Sequence, residues 1–152
     1  MRGVYSLVLH IPEDTSISVG ARPEEIYEEG YWVYVGSARG KGSTSLENRL
    51  KRHHRNEKKL HWHIDYLLSQ NVAIVDAIWS ETDDDLECSL VANLLATRKY
   101  IPGPAGFGAG DCTNRCLSHL LQYDGSSSPT DSLKRVFRKL NLIPHNYSQM
   151  EL

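Results

Sequence analysis

Tyr5 and Tyr34 each sit in a strand-like run, and the second run leads through glycine and serine into a basic segment carrying Arg49 and His53. A phenol and a guanidinium brought together suit phosphodiester chemistry. The planar fork of arginine donates two hydrogen bonds to one phosphate. A phenol with a pKa near about 10 is a poor base at neutral pH unless nearby positive charge lowers that value. Arg49 and His53 are four apart, so on a helix they lie within about 40° of each other and would supply that charge. A single carboxylate, with phosphate oxygens and waters, is the usual way to hold Mg²⁺, and Glu87 is one of several acids in the stretch after Trp79. Each residue also has a plain reading. Strand tyrosines commonly pack with a satisfied hydroxyl, Arg49 could be a surface partner, and Glu87 sits among the acids of a helix start.

Charge distribution favours a polyanion at one place. The net charge is −2, yet residues 39–59 carry eight bases (Arg39, Lys41, Arg49, Lys51, Arg52, Arg55, Lys58 and Lys59) against Glu47 and Glu57. The rest of the chain has nine bases and seventeen acids. A basic patch on an acidic protein points to a docked polyanion, with a solvated helix face as the bland alternative. At 152 residues, with 40% hydrophobic and 24% charged, the chain reads as one soluble globular unit. Apolar runs are short, so no membrane partner is expected, and the first residues lack a signal-peptide layout. Three cysteines argue for reduced thiols in a cytoplasmic protein.

The elements that must position these groups follow from periodicity. Gly3 to Ile11 alternates as a strand, Ile17 and Val19 hint at another, and residues 22–30 read as a loop or one helical turn. Tyr31 to Gly36 is a firm strand. Thr44 with Glu47 fits a capping box, placing a helix start near Ser45 with Leu46 and Leu50 buried. A helix is expected over Trp62 to Ser69, and Val72 to Trp79 reads as a strand buried on both faces. Thr82 and the following acids predict a helix to about Tyr100. Residues 112–123 are ambiguous, Asp131 to Leu140 is a basic amphipathic helix, and the last residues read as frayed.

Gly3-Val4-Tyr5 with Tyr34-Val35-Gly36 resembles the paired signature of the GIY-YIG nuclease family. The blocks around Arg49 to His53, His61 to Leu68 and Gly106 to Leu120 resemble its archaeal Uri-type branch, so the likeness covers roughly residues 3–120. The resemblance implies an α+β fold: a small three-stranded antiparallel sheet flanked by helices, over residues 1–123, with a helical extension over 124–152 packed on it. It also implies a metal-dependent endonuclease acting on DNA, in a role such as repair, with Mg²⁺ or Mn²⁺. Tyr5 and Tyr34 would help deprotonate water, Arg49 would neutralise phosphate, His53 would be a base or phosphate ligand, and Glu87 would hold the metal. Arg39, Lys41, Arg52, Arg55, Lys58 and Lys59 are the expected contacts to the DNA backbone. Arg49 lies thirteen residues past Gly36, a longer link than in many family members, which leaves Arg52 as a rival. Helical phase puts Arg49 about 60° and Arg52 about 120° from buried Leu46.

Other constellations are weaker. His61, His63 and Asp65 read as a hydrogen-bonded scaffold rather than a metal site. Cys112, Cys116 and His119 have zinc-like spacing but no convincing fourth ligand, so buried thiols are expected in place of structural Zn²⁺. Gly106 to Gly110 reads as a tight turn, because no strand precedes it and no Lys-Ser/Thr follows. Lys134, Arg135, Arg138 and Lys139 offer a second basic face. Cutting both DNA strands from one small site requires a homodimer or two visits. The competing function is a non-catalytic nucleic-acid-binding domain, and a third is a zinc-stabilised interaction domain.

Overall fold

The computed structural model describes residues 1–109 and 116–149. Its chain order is β1 (Gly3–Ile11), β2 (Thr15–Ile17), β3 (Glu25–Tyr27), β4 (Gly30–Ala38), α1 (Leu46–His54), α2 (His63–Leu68), β5 (Ala73–Glu81), α3 (Glu87–Ala96), β6 (Tyr100–Pro102), β7 (Leu120–Tyr123), α4 (Thr130–Lys139) and β8 (His145–Asn146). The architecture is α+β, but the expected three-stranded sheet is wrong. The main sheet has six strands in the order β6-β7-β4-β1-β5-β8, all paired antiparallel, and β2 and β3 form a separate pair.

Strand length explains the difference. β1, β4 and β5 each have nine residues, long enough for a strand signature to register, whether alternation in β1 or an apolar, β-branched run in β4 and β5. β6, β7 and β8 have three, four and two, too few for any period to show. They extend the sheet because β4 and β5 would otherwise leave rows of unpaired N–H and C=O groups. Pro102 is tolerated at the outermost strand, where a ladder donor is dispensable.

Central β1 is buried along both faces, with Leu7, Val8 and Leu9 wholly covered. Its alternation sorts the core in two. One side holds Tyr5, Leu7, Leu9, Tyr34, Leu46, Leu50, Ile64 and Phe107, and the other holds Val4, Val8, Val33, Val35, Ile78, Leu90, Leu94 and Phe137. α1 presents Leu46, Leu50 and His53 to the first side. α3 and α4 close the second through Leu90, Val91, Leu94, Leu133, Val136 and Phe137.

Several local expectations are also corrected. α3 begins at Glu87, because the Thr82 hydroxyl accepts from the Asp84 amide and ties the acids into a turn. It ends at Ala96, and Arg98 takes the left-handed φ of 62° that commonly follows a helix. Only the second half of β5, Ala77 to Ser80, is buried, while Ala73 and Val75 are exposed. α1 is capped by Ser45, which accepts from the Asn48 amide, while Thr44 belongs to a preceding 3-10 turn. Among the described residues no helix is long and apolar enough to cross a membrane.

Candidate functional site

The strand register brings the two tyrosines onto one face. Tyr5 lies opposite Gly36 and Leu7 opposite Tyr34, which makes Tyr5 and Tyr34 diagonal neighbours. The Tyr5 ring crosses Gly36 so closely that a Cβ there would fall 2.5 Å from both its Cζ and its hydroxyl oxygen. A side chain at Gly3 would run into the Ser80 carbonyl of β5 and meet Leu46 at 2.9 Å. Both glycines therefore allow close approach, one of a ring and the other of β5 and α1.

α1 delivers the next groups. Burying Leu46, Leu50 and His53 along one stripe drives the imidazole under the sheet, where His53 Nε2 lies 2.7 Å from the Tyr5 hydroxyl. Tyr34 packs edge-on to the same ring at 6.2 Å between centroids, and Trp62 covers it at 5.8 Å. The Arg49 guanidinium lies over Trp62 and donates from Nη1 to the Ser37 carbonyl. Among the described residues, three buried side-chain polar atoms have no partner: Ser6 Oγ, Arg49 Nε and His53 Nδ1. Two of the three belong to this cluster.

Burial dominates the electrostatics. It pushes the Tyr5 phenol well above its ordinary value, helped by Tyr34, and Arg49 only partly opposes this. Tyr34 is raised by burial and then by Glu87, again with Arg49 pulling the other way. Burial pushes His53 down to about 3. The expected second positive charge beside the phenols is therefore absent, since His53 is neutral at neutral pH. A neutral His53 that accepts the Tyr5 proton at Nε2 carries its own proton on Nδ1, the atom without a partner.

Glu87, the first residue of α3, reaches the edge of this cluster with both oxygens engaged. Oε2 accepts from Ser37 Oγ at 2.6 Å, and Oε1 lies 2.7 Å from His119 Nδ1. Because Ser37 also receives Arg49 on its carbonyl, one serine links the arginine to the carboxylate. His119 is fixed by its backbone, which bonds Phe107 on one side and Val35 on the other. Its other ring nitrogen faces Cys88 Sγ at 3.8 Å. Cys88, Cys116 and His119 place their donor atoms within 4.8 Å of one another, a group that could hold a metal ion. Sequence spacing favours thiols without metal and groups Cys116 and His119 with Cys112, which lies outside the described residues. No local pattern marks Cys88 or Ser37, so spacing alone misses both.

The basic residues divide. Arg52, the rival to Arg49, is occupied: its fork donates to both oxygens of fully buried Asp65 at 2.9 and 2.8 Å, and Nη2 also donates to the Lys59 carbonyl. Burial raises the Asp65 pKa, but the Arg52 fork and the amides of Trp62 and His61 outweigh it and hold the carboxyl below its usual range. Lys58 donates to the carbonyls of His53 and Arg55. Arg39 pairs with Asp85 at 3.1 Å on the surface, and Lys41, Arg55 and Lys59 are exposed. The histidine-rich segment acts as scaffold. Asp65 caps α2 by accepting from the His61 and Trp62 amides, and His63 Nδ1 accepts from the Gly108 amide. Gly108 has φ 65°, and a side chain there would press on Tyr34 at 2.9 Å, while Phe107 beside it is wholly buried.

Residues 4–142 match a family described as a domain of unknown function, DUF123, and the chain belongs to that family. No curated protein and no solved structure matches it.

Proposed function

We propose that this DUF123 member is a GIY-YIG-type endonuclease that hydrolyses DNA phosphodiesters with Mg²⁺ or Mn²⁺. One observation carries the reading. Tyr5, Tyr34, His53 and Arg49, drawn from three separated segments, converge on one buried cluster whose arginine has an unused donor. A buried guanidinium nitrogen without a partner costs about 1–3 kcal/mol, and a phosphate oxygen would satisfy it. The resemblance of the Gly-Val-Tyr and Tyr-Val-Gly segments to that nuclease family supports the same reading.

The chain's own residues would divide the work as follows. Arg49 binds the scissile phosphate and balances the charge that builds on it. The Tyr5 phenol is too weakly acidic to wait as phenolate and buried His53 too weakly basic to take its proton, so the pair's task is to position the attacking water. His53 Nε2 accepts the Tyr5 O–H and leaves the phenol oxygen's lone pairs to accept from that water. Tyr34 fills the space beside this pair and presents its hydroxyl toward the Gly108 turn. Glu87 would hold the divalent ion. It fits that task because a carboxylate has about four acceptor positions, and Ser37 and His119 take two of them. The ion would supply charge stabilisation at the phosphate. Lys41, Arg55 and Lys59, exposed on the basic side, suit contacts to the DNA backbone.

Incubating the protein with nicked, flapped and branched DNA in each metal tests the proposal. Metal-dependent cutting is expected, falling about 10²–10³-fold in Arg49→Ala. Undiminished cutting by that variant would contradict the assignment. Salt-sensitive binding with no cleavage under any metal would instead favour a non-catalytic DNA-binding domain.

A further inference from the structure

We infer that Cys88, Cys116 and His119 form a binding site for a thiophilic divalent ion of the zinc type, held beside the nuclease-like cluster and linked to it through Glu87. The site does not depend on the nuclease reading.

Three observations carry it. The first is donor chemistry: two thiols and one imidazole are soft to borderline ligands, and they select zinc over the magnesium class. The second is spacing. A tetrahedral zinc held by three protein ligands would take a water as its fourth, and with bonds of about 2.3 Å to sulfur and about 2.0–2.1 Å to nitrogen it requires sulfur–nitrogen separations of about 3.5 Å and sulfur–sulfur separations of about 3.8 Å. Cys88 Sγ and His119 Nε2 are 3.8 Å apart, and no pair in the group exceeds 4.8 Å. Side-chain rotation of well under about 1 Å per ligand closes that difference, against bonds of this length.

The third is orientation. Metal-bound histidines characteristically give their second ring N–H to a carboxylate, which fixes the tautomer and aims the other nitrogen. His119 has this arrangement, with Nδ1 at 2.7 Å from Glu87 Oε1 and Nε2 turned to sulfur. Its side chain is 3% exposed and its backbone is pinned on both sides, so the imidazole is set before any ion arrives. The ligands also come from distant places, Cys88 on the first turn of α3 and the other two in the approach to β7. An ion there would staple the helix to the segment entering β7. It would also fix Glu87 from one side while Ser37 holds it from the other, making Glu87 a positioning residue for His119.

Metal analysis of the full chain, purified without chelator, should find about one zinc per chain. Stripped protein reloaded with Co²⁺ should show the sulfur-to-cobalt charge-transfer absorption and the intense visible bands of a tetrahedral thiolate site. Cys88→Ser and His119→Ala should lose both, and Glu87→Gln should weaken the affinity about 10–100-fold while keeping the spectrum. Should the variants not fold, alkylation of wild-type protein decides the same point, because Zn²⁺ should protect Cys88 and Cys116. Absence of stoichiometric metal after reloading, a cobalt spectrum without thiolate bands, or alkylation indifferent to Zn²⁺ would each overturn the inference. DNA cleavage that survives those results would leave the nuclease reading standing.

Discussion

The two faces of the main sheet are built from the same strands and differ in how much polarity they bury. Val4, Val8, Val33 and Val35 look onto Leu90, Leu94, Leu133 and Phe137, an aliphatic packing surface in which shape and volume are what count. Tyr5 and Tyr34, one residue away along each strand, look onto His53, Trp62 and Phe107. There, a buried hydroxyl meets a buried imidazole and two side-chain nitrogens stay unpaired, against one unpaired hydroxyl, Ser6, which β1's alternation puts on the valine side. A face selected for stability alone would have filled these positions with leucine and valine. Retaining unpaired polar atoms under cover makes sense where a polar ligand completes them.

The largest effect that would separate the faces is a pH dependence of stability confined to the tyrosine side. The unfolded chain protonates His53 near its ordinary value of 6.5, whereas the folded chain does so only near about 3. Between those values the unfolded state binds the extra proton, so stability falls as pH drops through this window. From this group it is unchanged above 6.5. At about 1.4 kcal/mol per unit the full loss is about 5 kcal/mol. Urea unfolding of wild type and His53→Gln from pH 7.5 downward should give a stability difference that shrinks as the pH falls, and a constant difference would refute the buried neutral imidazole.

Leu94→Ala attacks the aliphatic face, where the side chain is wholly buried, and should cost about 2–5 kcal/mol by denaturant titration. Cleavage per folded molecule should stay as in wild type. A matching loss of turnover would mean that the two faces are not functionally separate.

Gly36→Ala is smaller in stability and opposite in kind. The added methyl meets Tyr5, and overpacking of this sort costs about 1–3 kcal/mol. Because the ring that must move carries the hydroxyl proposed to take part in the reaction, turnover should fall by more than stability explains. Equal losses would show that Tyr5 is packing alone.

How much of this is legible in the sequence depends on the reach of each signal. Alternation over nine residues reveals β1, β-branched and aromatic composition reveals β4, and the spacing of Leu46 and Leu50 gives the buried stripe of α1, to which the fold adds His53. The edge strands are too short to read, which is why the expected sheet has half the true width. Charge alone makes Arg52 and Arg49 look alike; helical phase favours Arg49, and the pairing with buried Asp65 that occupies Arg52 emerges only in the fold. The expected charge on His53 fails for the same reason, because desolvation is a property of the packed state. Cys88 stands twenty-eight residues before Cys116, and nothing but the fold brings them together.

Single-turnover cleavage by Tyr5→Phe, with DNA affinity measured in parallel, bears on the phenol–imidazole pair itself. Removing one oxygen leaves the ring over Gly36 and the basic surface intact. The rate should fall about 10²–10⁴-fold with binding unchanged. Cleavage at the wild-type rate would show that the Tyr5–His53 pair takes no part in the chemistry.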